Sequence, residues 1–183
     1  MKSKLQGILA LAAVLLLSGC ANKVHDYSAS TDNLIALKTV AKTANSVNIG
    51  NFTDSGRNER SVMCRLATPI GTPKGETFAS YIQNAMKKEL LISDLYEPNA
   101  KRIITANLDR VYGSTVFGNA YWEFDMTIKS SNGKGYKVNS KYDYESSFSA
   151  YSACSEMQRS YPLAVQKLIG KVIKDPKFVE LTK

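Results

Sequence analysis

The chain has 183 residues, of which 44% are hydrophobic and 22% are charged, and its formal net charge is +8. These values are typical of a globular chain and exclude a largely disordered one. The basic residues form no dense block, so we expect no nucleic-acid partner. The lysine excess fits either a solvated surface or a surface that meets an anionic partner such as a phosphorylated glycolipid.

The first segment combines a short positive region with a short apolar run. Lys2 and Lys4 precede the apolar stretch 8–17. That stretch is about ten residues long, whereas a helix that crosses a bilayer needs roughly 20. Its length suits the central part of a secretory signal peptide. We therefore predict that residues 1–19 are an export signal that is removed.

The end of this segment resembles a bacterial lipobox, in which a leucine and two small residues precede the cysteine to be lipidated. The matching residues are Leu17, Ser18, Gly19 and Cys20. The resemblance implies that Cys20 begins the mature chain and carries acyl chains such as palmitate, each buried CH₂ contributing about 0.8 kcal/mol to membrane binding. In enterobacterial lipoproteins, Asp after the lipidated cysteine retains the protein in the inner membrane. Position 21 is Ala, so the chain resembles the outer-membrane class. We therefore expect a lipid anchor in the outer membrane, on its periplasmic face. The alternative is an ordinary signal peptide with an unrelated cysteine.

The region after Cys20 predicts a tether followed by one domain. Residues 21–33 are polar and lack periodic apolar residues. Residues 34–44 fit either a short helix or an entry strand. We therefore assign residues 20–45 to the lipidated N-terminus and tether, and residues 46–183 to a single domain.

Two cysteines remain after Cys20, namely Cys64 and Cys154. An exported chain meets an oxidising compartment, so an even remainder predicts a disulfide. The alternative is a pair of buried free thiols. A catalytic cysteine is disfavoured because the chain's single histidine, His25, lies in the predicted tether.

The first half of the domain reads as a strand, a loop, an extended run and a helix. Residues 46–52 alternate apolar and polar side chains, residues 53–60 form a charged loop, and residues 61–70 are an extended run. Within 76–96, apolar residues recur at helical spacing behind Thr77 as N-cap; these are Phe78, Ile82, Ala85, Met86 and Leu90.

The second half reads as three strands and a helix. The segments 102–112, 120–130 and 136–146 each alternate with period two, and Asn132 with Gly133 predicts a hairpin turn between the last two. An apolar stripe from Met157 to Val172 predicts a terminal helix. This helix either begins near Ser160 as its N-cap or kinks at Pro162. The fold class is therefore α+β: a two-layer sandwich in the order strand, helix, three strands, helix, with a mainly antiparallel sheet and both helices on one face.

The residues that enzymes need are largely missing. A nucleophile with a histidine base lacks a usable histidine, and a transition-metal site would need ligands other than histidine or a CxxC pair. The loop 71–78 lacks the spacing of a phosphate-binding loop. We expect a protein without enzymatic activity, cofactor or metal.

Tyrosine is the unusual residue, with ten in the chain. Because tyrosine is enriched at interfaces, one hypothesis is a binding surface at the third strand of the second half, formed by Tyr136, Tyr142, Tyr144, Lys134, Lys137 and Lys141. The alternative is that these tyrosines pack beneath the terminal helix with their hydroxyls at its rim.

The lipobox, the tether and the order of elements together resemble small accessory lipoproteins of the Gram-negative envelope. The stretch 47–60, with Phe52, Thr53 and Asp54 at the end of its strand, is similar to YajG-type lipoproteins and to the penicillin-binding-protein activators. The order of elements resembles the plug lipoprotein of the lipopolysaccharide-assembly translocon. The resemblance implies a non-enzymatic accessory that binds an envelope protein. The alternative is a lipoprotein that holds a glycolipid or peptidoglycan fragment.

Overall fold

The computed structural model describes residues 22–55 and 60–183. Within these residues the chain forms two sheets and four α-helices. The strands are β1 (Asn22–Lys23), β2 (Asn48–Asp54), β3 (Ser61–Cys64), β4 (Thr68–Gly71), β5 (Ile103–Val116), β6 (Asn119–Ser130) and β7 (Gly135–Tyr144). The helices are α1 (Thr31–Val40), α2 (Phe78–Ile92), α3 (Ala150–Lys174) and α4 (Lys177–Thr182), with a 3₁₀ turn at Pro73–Gly75.

The main sheet has the strand order β2-β5-β6-β7. β2 runs parallel to β5, and the other neighbours are antiparallel. The predicted hairpin is confirmed: Lys129 pairs with Gly135 across a turn in which Gly133 has a φ of +85°. Burial alternates along β6, as its period-two pattern predicts.

The helices α2 and α3 cover one face of this sheet, which confirms the two-layer α+β class. Thr77 caps α2, as predicted, by accepting a hydrogen bond from the Ser80 amide (3.1 Å). Trp122 of β6 is fully buried, and its indole N–H donates to the Met157 carbonyl of α3 (3.1 Å). At Gly113 a Cβ would stand 2.3 Å from the Met157 Cε and 3.1 Å from the Trp122 ring, so a larger residue here would require the Met157 side chain to move.

A second, smaller sheet corrects the prediction of one extended run over 61–70. β3 and β4 form an antiparallel hairpin, and β1 adds to β4 in parallel. The turn between them contains Arg65 and Leu66, which adopt φ angles of 50° and 58°. Because asparagine and glycine are the usual residues at such positions, the sequence carries no local signal for this turn.

The predicted tether is also corrected for the residues that the structure describes. Residues 22–45 lie on the domain, where Val24 and Leu37 are 3% and 0% exposed. The segment 34–44 is helical in its first part, since α1 begins after Ser30, whose side chain accepts from the Asn33 amide. Asn33 shows why a polar residue was a poor guide here: it is 3% exposed, and its side chain donates to the Glu89 carboxylate and to the Gln166 carbonyl. Cys20 and the predicted signal 1–19 lie outside the described residues.

The terminal helix begins earlier than predicted, at Ala150, and continues through Pro162. A proline has no amide hydrogen, so the carbonyl four residues before it, that of Gln158, loses its helical donor. The His25 amide donates to that carbonyl (3.4 Å). The prediction that the helix begins near Ser160 is therefore wrong. The helix can continue through Pro162 because the His25 amide of the N-terminal segment donates to the Gln158 carbonyl in place of the missing helical donor.

The predicted disulfide is present. Cys64 of β3 and Cys154 of α3 are bonded, with their Cα atoms 5.8 Å apart. The bond links the smaller sheet to the terminal helix.

Candidate functional site

β7 is the outermost described strand of the main sheet, and α3 runs beside it. A groove of about 740 Å³ lies between them, and residues at the start of α1 form its end wall. We call it the β7–α3 groove. Its lining includes Lys137, Asn139 and Tyr142 of β7, Lys167, Lys171 and Lys174 of α3, and Asp32 and Asn33 of α1.

Lysines dominate the charge of this groove. Lys167, Lys171 and Lys174 are spaced by four and three residues, which places them in a row on one side of α3. Lys137 of β7 also lines the groove, and the acidic lining residues are Asp32 and Asp175. The groove is therefore net positive.

The outer backbone edge of β7 borders the groove. Lys171 Nζ donates to the Asn139 carbonyl (2.9 Å), so this carbonyl points away from β6. In an antiparallel pair, alternate residues direct both backbone groups to the same side. Lys137 and Lys141 therefore also direct their N–H and C=O groups outward. An extended segment of another chain could pair with this edge, as in strand addition.

A buried polar cluster holds the end wall in place. The Glu89 carboxylate of α2 is fully buried. Its Oε1 accepts from the Asn33 side chain (3.2 Å), from the Ser30 amide (3.1 Å) and from the Tyr27 hydroxyl. Burial and the Glu89 carboxylate raise the pKa of Tyr27 well above its ordinary value.

The same cluster joins the wall to α3. Asn33 also donates to the Gln166 carbonyl (2.9 Å). At Gly170 a Cβ would stand 2.7 Å from the Asn33 Oδ1, so a larger residue would displace the Asn33 side chain that joins α1 to α3.

The predicted tyrosines face the helical layer rather than a shared open surface. Tyr136 is buried and its hydroxyl donates to the Val172 carbonyl (2.8 Å), so the alternative of packing beneath the terminal helix is correct for this residue. Tyr144 is half-buried and donates to the Ser114 carbonyl (2.8 Å). Burial raises the pKa of both hydroxyls.

The predicted lysines do not join the tyrosines in one surface. Lys137 and Lys141 alternate with them along β7 and so point to the opposite face. Lys134 lies in the β6–β7 turn, and Lys141 pairs with Asp143 (3.0 Å). Of the six residues in the predicted surface, only Lys137 and Tyr142 line the groove. The structure therefore does not gather the six residues on one surface.

The lysine row of α3 was not recognised in the sequence. The sequence does contain the pattern: Lys167, Lys171 and Lys174 recur at helical spacing, between the buried apolar residues of the same helix. Without the fold, such a row is indistinguishable from an ordinary solvated helix face.

The face of the main sheet that the helices leave open is polar, and several of its charged groups contact one another. Arg110 contacts Glu123 (2.9 Å). Asp109 accepts hydrogen bonds from Thr127 (2.6 Å) and Asn107 (2.5 Å). Because these charges and polar groups contact one another, the β7–α3 groove is the better candidate for an anionic partner.

Across the ranges 22–55 and 60–183, no three side chains of His, Cys, Asp or Glu come together in a way that could hold a metal ion. The helices of the described chain are each too short or too polar to cross a bilayer.

Comparison with known proteins yields a distant structural likeness. No protein-family model matches the chain, and no curated protein matches it in sequence. In structure, the chain is similar to protein XCC0632 of Xanthomonas campestris, of the family DUF330. The two share 9% identity with a TM-score of 0.43, over 70% of this chain and 83% of the other. A likeness at this level carries no argument about function, and the lipoprotein resemblances stay predictions.

Proposed function

We propose that this chain is a non-enzymatic outer-membrane lipoprotein that binds an envelope protein through the β7–α3 groove. The observation that carries the proposal is the outward-facing backbone of β7 beside the lysine row of α3. Backbone pairing supplies affinity for an extended segment, and lysines select an acidic one. The lipobox ending at Cys20 supports the anchored location.

Site-specific cross-linking in cells tests the groove. A photoreactive amino acid replaces Asn139 on the β7 edge or Lys167 on α3. The control position is Leu91, which is 57% exposed near the end of α2. We expect one discrete adduct from the two groove positions and none from position 91. Adducts of equal yield from all three positions, or from none, would contradict the proposal.

Charge reversal tests the chemistry of the partner. The triple variant Lys167→Glu, Lys171→Glu and Lys174→Glu should lose the adduct at position 139, because like charges repel an acidic segment. The control variant reverses three exposed lysines outside the groove, at positions 38, 42 and 101. If both variants lose the adduct equally, the groove is not the source of selectivity.

A second candidate is a lipoprotein that holds an anionic glycolipid or a peptidoglycan fragment. The lysines of the groove and its volume of about 740 Å³ favour it, together with Tyr142, whose ring lies 6.0 Å from Lys167 Nζ. This candidate predicts that purified lipopolysaccharide or peptidoglycan retains the protein and that the groove triple variant is released. Unchanged retention of the triple variant would exclude it.

A further inference from the structure

One end of the molecule carries a group of exposed apolar side chains, which we call the apolar tip: Leu66, Val116, Phe117, Phe148 and Tyr151. Leu66 is 93% exposed, Tyr151 86% and Phe148 78%. Single exposed apolar residues are common on soluble domains, but large apolar side chains gathered on one surface mark a contact site.

The members of the tip come from three parts of the chain and adjoin one another. Leu66, in the β3–β4 turn, lines the same hollow as Val116 at the end of β5. Phe117 follows β5 and stacks on Phe148, with ring centroids 3.9 Å apart. Tyr151, at the start of α3, lines a hollow with Thr68, which follows the same turn.

The structure holds this tip in an exposed arrangement. The disulfide between Cys64 and Cys154 lies directly behind it, joining the β3–β4 turn to the start of α3. Arg65 donates to the Ser147 carbonyl (2.5 Å), which links the turn to the segment that carries Phe148. Leu66 has a φ of 58°, a conformation that an L-residue adopts only when its surroundings impose it.

The direction of β1 brings the N-terminus to the same end. β4 begins just after the turn that carries Leu66 and runs away from it, and β1 is parallel to β4, with Asn22 opposite Ile70. The beginning of β1 therefore faces the tip. Cys20 stands two residues before Asn22, and two residues span at most about 7 Å. A lipid on Cys20 would therefore be attached near the apolar tip.

We propose that the apolar tip inserts into the surface of the lipid bilayer beside the acyl chains of Cys20. The inference rests on the lipid anchor of the proposed function and adds a second, non-covalent membrane contact. Tyr151, with its apolar ring and polar hydroxyl, suits the level of the headgroups. Sixteen residues of α3, each rising about 1.5 Å, separate Tyr151 from Lys167, so the groove stands about 24 Å from the tip along the helix.

Quenching by brominated lipids tests this contact on the full exported chain. The protein is reconstituted into vesicles of phosphatidylethanolamine and phosphatidylglycerol that contain brominated phosphatidylcholine. The variants are Leu66→Trp and Phe148→Trp, with Leu91→Trp as the matched control near the opposite end of the main sheet. The single native tryptophan, Trp122, is fully buried and supplies the same background in every variant.

We expect quenching several times stronger for Leu66→Trp and Phe148→Trp than for Leu91→Trp. Equal quenching of all three variants, or none, overturns the proposal. Emission that shifts to the blue without quenching also overturns it, because a protein rather than lipid then covers the tip. The mass of the N-terminal peptide from the same sample shows whether Cys20 is acylated, so a failed anchor and a failed tip contact are distinguished. The cross-linking at position 139 tests the groove separately.

Discussion

At the scale of single residues, the most unusual feature is the backbone of the β3–β4 turn. Arg65 and Leu66 adopt φ angles of 50° and 58°. This conformation costs an L-residue roughly 1–2 kcal/mol. The strain occurs where the side chain of Leu66 is almost entirely exposed, so this side chain adds little to the stability of the domain. We therefore favour a role for Leu66 in contact with another molecule.

The substitution Leu66→Gly should therefore stabilise the domain. Glycine adopts a positive φ without strain but loses more entropy on folding, so we expect a net gain of about 1 kcal/mol in the free energy of unfolding. Urea denaturation measures it. Leu66→Ala is the control, since it removes the exposed side chain but keeps the strain and should leave stability almost unchanged. A destabilised Leu66→Gly variant would refute the strain argument.

Buried tyrosines should make the domain sensitive to high pH. Burial is the largest cause that raises the pKa of five hydroxyls, those of Tyr27, Tyr81, Tyr136, Tyr144 and Tyr161. An unfolded tyrosine has a pKa of about 10. A pKa that is higher in the folded state contributes stability that is fully present below pH ~10 and is lost as the pH rises above it.

The expected outcome is a coupled loss of structure and release of these protons. Absorbance of tyrosinate and circular dichroism, followed together from pH 8 upward, should show the five hydroxyls ionising only as the helices melt. The urea-unfolded chain is the reference, in which every tyrosine ionises near pH ~10. Complete ionisation of a chain that keeps its circular dichroism would contradict the prediction.

At the scale of elements, the disulfide connects two regions that are far apart in the chain. The bond between β3 and α3 closes a loop with a sequence separation of 90. The chain-entropy model assigns about 4.5 kcal/mol to such a closure, and measured effects are often smaller. The same bond lies behind the apolar tip, so its loss should affect the tip more than the groove.

The double variant Cys64→Ser with Cys154→Ser should lose roughly 2–4 kcal/mol of unfolding free energy. Urea denaturation with and without a reductant measures this. Reduction of the native protein should reproduce the shift, whereas the double variant should not respond to the reductant. A reductant effect of the same size on the double variant would show that the loss has another cause.

Pro162 shows how one element depends on another. The proline removes an amide hydrogen from the middle of α3, and the carbonyl of Gln158 accepts from the amide of His25 instead. The N-terminal segment thus supplies the hydrogen-bond donor that the helix lacks, and the same bond fixes the segment against the helix. Sequence patterns within α3 could not reveal this donor, because it lies more than 100 residues away in the chain.

At the scale of the whole molecule, residues 22–45 are part of the domain and not a spacer. β1 extends the smaller sheet, and α1 closes the end of the groove. Leu37 of α1 is fully buried, whereas Ile35, two residues earlier on the same helix, is 60% exposed. This pair permits a direct test of whether the segment contributes to stability.

Leu37→Ala should lower the free energy of unfolding by about 2–5 kcal/mol, because it removes a buried side chain and leaves a cavity. Ile35→Ala should change it by less than about 0.5 kcal/mol. Thermal or urea denaturation of both variants measures the difference. Two equally mild variants would restore the interpretation of this segment as a tether.

The apolar tip and the lysines of the groove lie at different distances along α3, which defines how the molecule would be oriented on a membrane. The apolar tip and the start of β1 lie at one end, and the lysines of the groove lie further along α3. A protein held by both contacts at the membrane would place the groove lysines of α3 farther from the lipid than the tip. This orientation would leave the groove open to the partner that we propose.

The sequence by itself determined the elements whose signals are local. Period two along β6 and β7, a helical stripe behind Thr77 and an even pair of cysteines were sufficient to predict the main hairpin, α2, the disulfide and the α+β class. Each of these signals depends on neighbours along the chain or on simple chemistry. Only the tertiary structure decided the groove, the apolar tip and the packing of residues 22–45. In those places, hydrogen-bonding groups and apolar side chains contact residues that are distant in the sequence. A pattern along the chain does not show which of these surfaces come together.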